Sequence, residues 1–220
     1  MSRVSTDNII RSPVQDRINF HGDSLALGKQ AKIISDKLVR AVLAELDTRR
    51  YPHRDRAMFM FSLKAGMRTE EIASVTWGMV IDAEGQIADA IALENRAAKG
   101  KSGRVIPMHA DLKAALVELQ RERGEKVRPD LPVIYSERDR GLSPGAVAVW
   151  FHRLYSSLGM IGCSSHSGRR TFITRAARKI GVVGGSLRDI QQLAGHASLG
   201  TTARYIDGDH DAQRKVVALI

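Results

Sequence analysis

The chain has 220 residues, 43% of them hydrophobic, which is enough for one substantial domain with a buried core and too much for wholesale disorder. Its 34 Lys and Arg against 24 Asp and Glu leave a formal charge of +10, a balance that favours a polyanion such as nucleic acid as partner. A single cysteine, Cys163, excludes an internal disulfide framework and suits a reducing, cytoplasmic setting, and no apolar run approaches membrane-spanning length.

Residues 1–28 are polar and irregular and are expected to form a flexible N-terminal arm. From residue 29, KQAKIISDKLVRAVLAELDTRR places Ile33, Leu38, Val42 and Leu46 at helical spacing. Pro52 suits the first turn of a second helix that Gly66 can end, and Thr69 can cap a short third helix carrying Glu70, Glu71 and Ile72. The period then changes. QIADAIALEN and GRVIPM read as strands joined by the basic loop RAAKGKSG. HADLKAALVELQRER is a helix, and Pro144 opens another after a linker around Pro129 and Pro132. The rest reads as helices over HSGRRTFITRAARKIG, SLRDIQQLAG and SLGTTARYI, with a final segment ending RKVVALI. The fold class expected is mainly α with a small antiparallel β-sheet (α+β), with one main region over 29–207 and a C-terminal tail over 208–220.

Several basic and imidazole residues fall at segment ends: Arg68, Lys99, His166, Arg169 and His196, with Tyr205 last. Singly, each has a plain reading as surface charge or packing. Together they answer one chemical problem. Phosphodiester cleavage without a metal needs a nucleophile, cations on the non-bridging oxygens, a proton acceptor and a proton donor for the leaving oxygen. Guanidinium is planar, permanently charged and bidentate, tyrosine can act as a covalent nucleophile, and histidine and lysine can move protons near neutrality. The seven histidines and one cysteine show no metal-ligand spacing, so neither metal nor organic cofactor is expected. Thr201 and Thr202 read as helix-start residues.

The four boxes GMRTEEIASVTW, KGKSGRVIPM, HSGRRTFITRAA and LAGHASLGTTARYI resemble, in order and spacing, those of the tyrosine recombinases, the phage integrase family. The resemblance runs from about residue 30 to 207 and implies a catalytic domain over 29–207, with a C-terminal tail over 208–220 that could dock on another subunit. It implies that Tyr205 attacks the scissile phosphorus to leave a 3′-phosphotyrosyl link, with Arg68 and Arg169 on the non-bridging oxygens. It implies further that Lys99 protonates the departing 5′-oxygen, that His166 assists Tyr205 as base, and that His196 hydrogen-bonds the phosphate. Glu71 matches the family's supporting acidic position. Lys101 competes with Lys99 for the lysine role, and counting back from Arg104 and Pro107 favours Lys99. Lys101, Arg104 and Arg170 are expected as DNA contacts. The partners implied are double-stranded DNA, three further copies of the chain on paired DNA sites, and accessory DNA-bending proteins. No membrane partner is expected, and the setting implied is the cytoplasm, on the nucleoid during action.

The chain departs from the family pattern in three places. Gly168 stands where leucine is usual, which is expected to loosen packing beneath Arg169. Arg170 stands where a second histidine is common. About 28 residues precede the catalytic region, too few for the N-terminal helical domain these recombinases usually carry, which implies fewer phosphate contacts and more salt-sensitive binding. Against the recombinase stand two other readings: a recombinase-like DNA-binding or accessory protein that does not cut, and a relaxing enzyme of the type IB topoisomerase kind.

Overall fold

Every residue from Ala57 to Leu63 is buried, so this stretch of helix α2 (Pro52–Lys64) has no solvent face and runs through the centre of the core. The computed structural model describes residues 31–97, 103–205 and 217, all within the unit Ala31–Ile220. The expected arm over 1–28, the hairpin tip with Lys99 and Lys101 and, apart from residue 217, the tail over 208–220 lie outside the described residues. Around α2 pack α1 (Asp36–Asp47), α3 (Thr69–Ser74), α4 (Ala110–Arg123) and α6 (Ser167–Lys179), while α5 (Pro144–Ser157) packs on α3. Phe59, Phe61, Met58 and Trp77 join Phe151 and Tyr155 of α5 in one apolar cluster. Among the described residues no helix is long and apolar enough to cross a membrane.

The strands β1 (Ala90–Leu93) and β2 (Arg104–Pro107) form the small antiparallel sheet, with Ile91 opposite Ile106 and Leu93 opposite Arg104. Side chains alternate along a strand. Ile106 is buried and Val105 exposed, so Arg104 shares the inward face with Ile106. The mainly α fold with one small antiparallel sheet is therefore the architecture expected from the sequence.

Two helix starts differ from expectation. The first helix begins at Asp36, not near residue 29: the Ser35 side chain caps it, and the preceding segment is drawn out to α6. There the Ile34 amide donates to Thr171 Oγ1 at 2.8 Å, and Arg175 donates to the Ile34 carbonyl at 3.0 Å. A long-range anchor overrides the helical spacing of Ile33 and its neighbours. The third helix is capped at Arg68, so Thr69 is already its first residue.

A second, smaller apolar cluster gathers Ile173 of α6 with Ile190 and Ala194 of α7 (Leu187–Ala194), and Phe172, Ile180 and Tyr205 pack on it. Helix α8 (Leu199–Ala203) has five residues, too few to persist without packing, and Tyr205 lies in the turn beyond its end rather than within it.

Gly168 does the opposite of loosening α6. A β-carbon there would lie 2.3 Å from Ser62 Oγ and 3.1 Å from the Ser62 carbonyl carbon. Glycine lets α6 approach the backbone of α2, which sets the depth at which Arg169, the next residue, enters the protein. Gly168→Leu is expected to overpack this contact and cost about 1–3 kcal/mol of stability, measured by chemical denaturation. A variant as stable as the parent would show that the helices can part without loss.

Candidate active site

The C-terminal end of α7 organises the site. Ser186 and Asp189 close a capping box at its start, and Gly195, at φ +61°, ends it. The last carbonyls of a helix lack intrahelical partners and carry the negative end of its dipole. Here three consecutive carbonyls each take a guanidinium from a different segment. Leu193 accepts from Arg104 Nε at 2.8 Å, Ala194 from Arg169 Nη2 at 2.7 Å and Gly195 from Arg68 Nη2 at 2.9 Å. A β-carbon on Gly195 would stand 2.8 Å from Arg104 Nη1, so glycine is needed here for contact as well as for φ.

Glu71 ties two of these arginines together from the other side. Its carboxylate is fully buried. Arg104 Nη1 and Nη2 donate to its two oxygens at 2.8 and 3.1 Å, Arg68 Nη1 donates at 2.9 Å, and the Arg68 amide donates at 2.8 Å. Burial by itself would raise the Glu71 pKa. The Arg104 guanidinium, aided by Arg68, overcomes it and holds the carboxyl below its ordinary range. Glu71 is thus an ionised brace between α3 and β2.

Arg169 is 4% exposed and bridges two helix ends. Its Nη1 donates to the carbonyl of Gly66 while Nη2 holds Ala194. Gly66 sits at φ +62°, and a β-carbon there would meet the Phe172 ring at 2.4 Å, so the α2 terminus needs glycine to present this carbonyl. Burial, and then the charge of Arg68, lower the Arg169 pKa to about 10, which leaves it charged at neutrality. Arg68 and Arg169 each commit two of a guanidinium's five N–H donors to these partners, which leaves three apiece without a partner among the described residues.

His196 follows Gly195 and is 8% exposed. Its imidazole stacks on the Tyr205 ring at 5.5 Å between centroids and 20° between planes. Its Nδ1 lies 2.9 Å from Thr202 Oγ1. Burial first, and then the charges of Arg169, Arg68 and Arg104, push its pKa down to about 4. Tyr205 is half-buried, and Thr174 Oγ1 donates to its carbonyl at 3.3 Å.

The structure therefore brings Arg68, Glu71, Arg169, His196 and Tyr205 together from four separated segments. Arg104, expected as a DNA contact, joins them instead with its guanidinium turned inward and its side chain 8% exposed. The inward face of β2 requires this, and the alternation of Arg104 and Ile106 around Val105 was the sequence signal for it. His166 is exposed at the N-cap of α6, one turn before Arg169, and its imidazole makes no hydrogen bond among the described residues. Arg170 is half-buried, and its Nε is shielded without a partner among those residues. Sequence reasoning missed the backbone carbonyls, Thr174 and Thr202. The cap of α8 is Ser198, whose Oγ accepts from the Thr201 amide at 3.3 Å, so Thr202 is not helix-start chemistry; it is fully buried against His196.

The phage integrase family model matches residues 32–211. Tyrosine recombinase XerC of Methylobacterium sp. (strain 4-46) is 34% identical over 112 residues, covering 50% of this chain and 34% of that protein. XerC of Xylella fastidiosa (strain 9a5c) is 28% identical over 193 residues, covering 87% of this chain and 61% of that protein. The chain thus matches about a third of the first relative's length and three fifths of the second's. Among solved structures, a Tn1549 transposon integrase in complex with a circular intermediate DNA superposes with a TM-score of 0.65 at 18% identity, over 88% of this chain and 67% of that one. XerA recombinase gives 0.65 at 20% identity, over 85% and 64%. These likenesses show a shared fold.

Glu71→Ala leaves two inward-facing guanidiniums without their anion and is expected to cost about 3–5 kcal/mol, read from urea denaturation at neutral pH; a loss under 1 kcal/mol would mean that water takes over the role of the carboxylate. For His196 the folded value near 4 lies below the ordinary 6.5. The unfolded chain therefore takes up the proton first, so the stability contributed by the neutral ring is complete above about 6.5 and falls as pH drops towards 4. Over that window the parent is expected to lose stability more steeply than His196→Asn; parallel curves would contradict the depressed value.

Proposed function

Because this chain belongs to the phage integrase family, we infer that it is the strand-cleaving and strand-joining part of a tyrosine-type site-specific DNA recombinase. One observation carries this reading: two arginines with spare donors, a neutral histidine and a tyrosine converge at the end of α7. Arg68 and Arg169 would grip the non-bridging oxygens of a phosphodiester, where a preorganised donor is worth about 10²–10³ in rate. The Tyr205 oxygen would bond to phosphorus as the bond from phosphorus to the 5′-oxygen breaks. His166 would take the tyrosyl proton and Lys99 would supply one to the leaving 5′-oxygen, which departs as a hydroxyl. One phosphoester is exchanged for another, so a 5′-hydroxyl can reverse the step without ATP.

The partner in this reading is double-stranded DNA, which suits the +10 charge. Exchange between two duplexes calls for a tetramer on paired sites, assisted by DNA-bending proteins and acting on nucleoid DNA. Lys101 and Arg170 are the remaining side chains proposed to touch DNA.

A library of nicked duplexes with a randomised core tests the chemistry, because loss of the short fragment beyond the nick traps the covalent intermediate. The parent is expected to form a protein–DNA adduct on a subset of sequences and Tyr205→Phe none. An adduct that survives in Tyr205→Phe would overturn the assignment of the nucleophile.

A further inference from the structure

We propose that Thr202 is a positioning residue whose hydroxyl donates to Nδ1 of His196 and so keeps the imidazole proton on Nε2. The argument is an accounting of hydrogens in a dry place. Thr202 has no exposed surface, so water cannot satisfy its hydroxyl. In a helix, a threonine hydroxyl usually has the option of the carbonyl four residues back. That residue is Ser198, whose own hydroxyl is engaged with Thr201, and Thr202 Oγ1 makes no bond to the Ser198 carbonyl among the described residues. The acceptor within reach is Nδ1 of His196, at 2.9 Å. If the ring instead donated from Nδ1, the hydroxyl hydrogen would be buried with nowhere to go, which native structures avoid.

The ring has a single proton to place. Burial and the nearby charges of Arg169, Arg68 and Arg104 disfavour the imidazolium, while Glu71, the anion that acts on it among the described residues, is already engaged by Arg68 and Arg104. With Nδ1 accepting, Nε2 must carry the hydrogen. The Tyr205 ring covers one face of the imidazole and holds its plane, so the tautomer alone decides whether the open nitrogen presents a hydrogen or a lone pair. A hydrogen there attracts a phosphate oxygen and a lone pair repels it. This step rests on the reading of His196 as a phosphate contact. Thr202 would then set the sign of that contact from outside the substrate's reach.

Long-range proton–nitrogen NMR of the full chain without DNA reads the tautomer directly. The parent is expected to show a pyridine-type Nδ1 and a pyrrole-type Nε2 at His196. Thr202→Val keeps the shape, removes the donor and is expected to mix the tautomers, and Thr202→Ser is expected to restore the parent pattern. On the nicked duplexes, Thr202→Val is expected to cleave about 10–100-fold more slowly, as when a partner that fixes a histidine tautomer is removed, with DNA affinity unchanged. A pyrrole-type Nδ1 in the parent, or an unchanged tautomer in a folded Thr202→Val, overturns the proposal whatever the cleavage rate. If Thr202→Val does not fold, the parent spectrum and Thr202→Ser decide the matter. His196→Ala cleaving at the parent's rate would instead overturn the phosphate-contact reading, a failure distinct from that of the hydrogen bond.

Discussion

Three guanidiniums meeting three consecutive carbonyls at the end of α7 form the contact on which the rest of the site depends. The carbonyls would otherwise be orphaned at a helix end, and the arginines would otherwise repel one another. Each solves the other's problem. The same contact draws α3, β2, α6 and α7 to one point, so that residues far apart in sequence share a surface. His196 follows directly from the Gly195 turn, and Tyr205 follows from the packing of α8 beside it.

The charge count at that point is deliberately unbalanced. Among the described residues three arginines face one ionised carboxylate, Glu71, which neutralises only part of their charge. The excess shows in the depressed pKa values of Arg169 and His196, both held down by burial and by neighbouring cations. In the proposed function, a phosphate held between Arg68 and Arg169 would relieve that repulsion. Rigid packing keeps the cations from drifting apart: Gly168 lets α6 seat against Ser62, and Gly66 and Gly195 let two helix ends turn sharply enough to expose the carbonyls.

Much of this was legible in the sequence because it is written in side chains at regular spacings. Helical periodicity in α1, proline at the starts of α2 and α5, and glycine after α2 and α7 give the elements their order. The residues Arg68, Glu71, Arg169, His196 and Tyr205 stand in recognisable boxes. What escaped the sequence is what tertiary contact decides. The start of α1 moved because Thr171, on α6, takes the Ile34 amide. Gly168 looked like a weak point because its neighbour across the helix interface is invisible in one dimension. Arg104 looked like a DNA contact because a basic residue beside a basic loop invites that reading, while strand alternation pointed inward. Thr202 looked like a helix-start residue because Ser198, the real cap, lies three residues before Thr201 and outside the pair that drew attention.

The acceptors that hold the arginines are main-chain atoms, and this changes how the site records its own history. A side-chain substitution at position 193 leaves the carbonyl in place, so the identity of that residue matters less to the clamp than its position in space, whereas Ala194 is held besides by its packing in the second apolar cluster. Alanine scanning would pass over Leu193 with little to report, although its oxygen holds Arg104 at 2.8 Å. The information that builds the clamp is stored one step away, in the glycine that ends the helix and in the arginines that reach it.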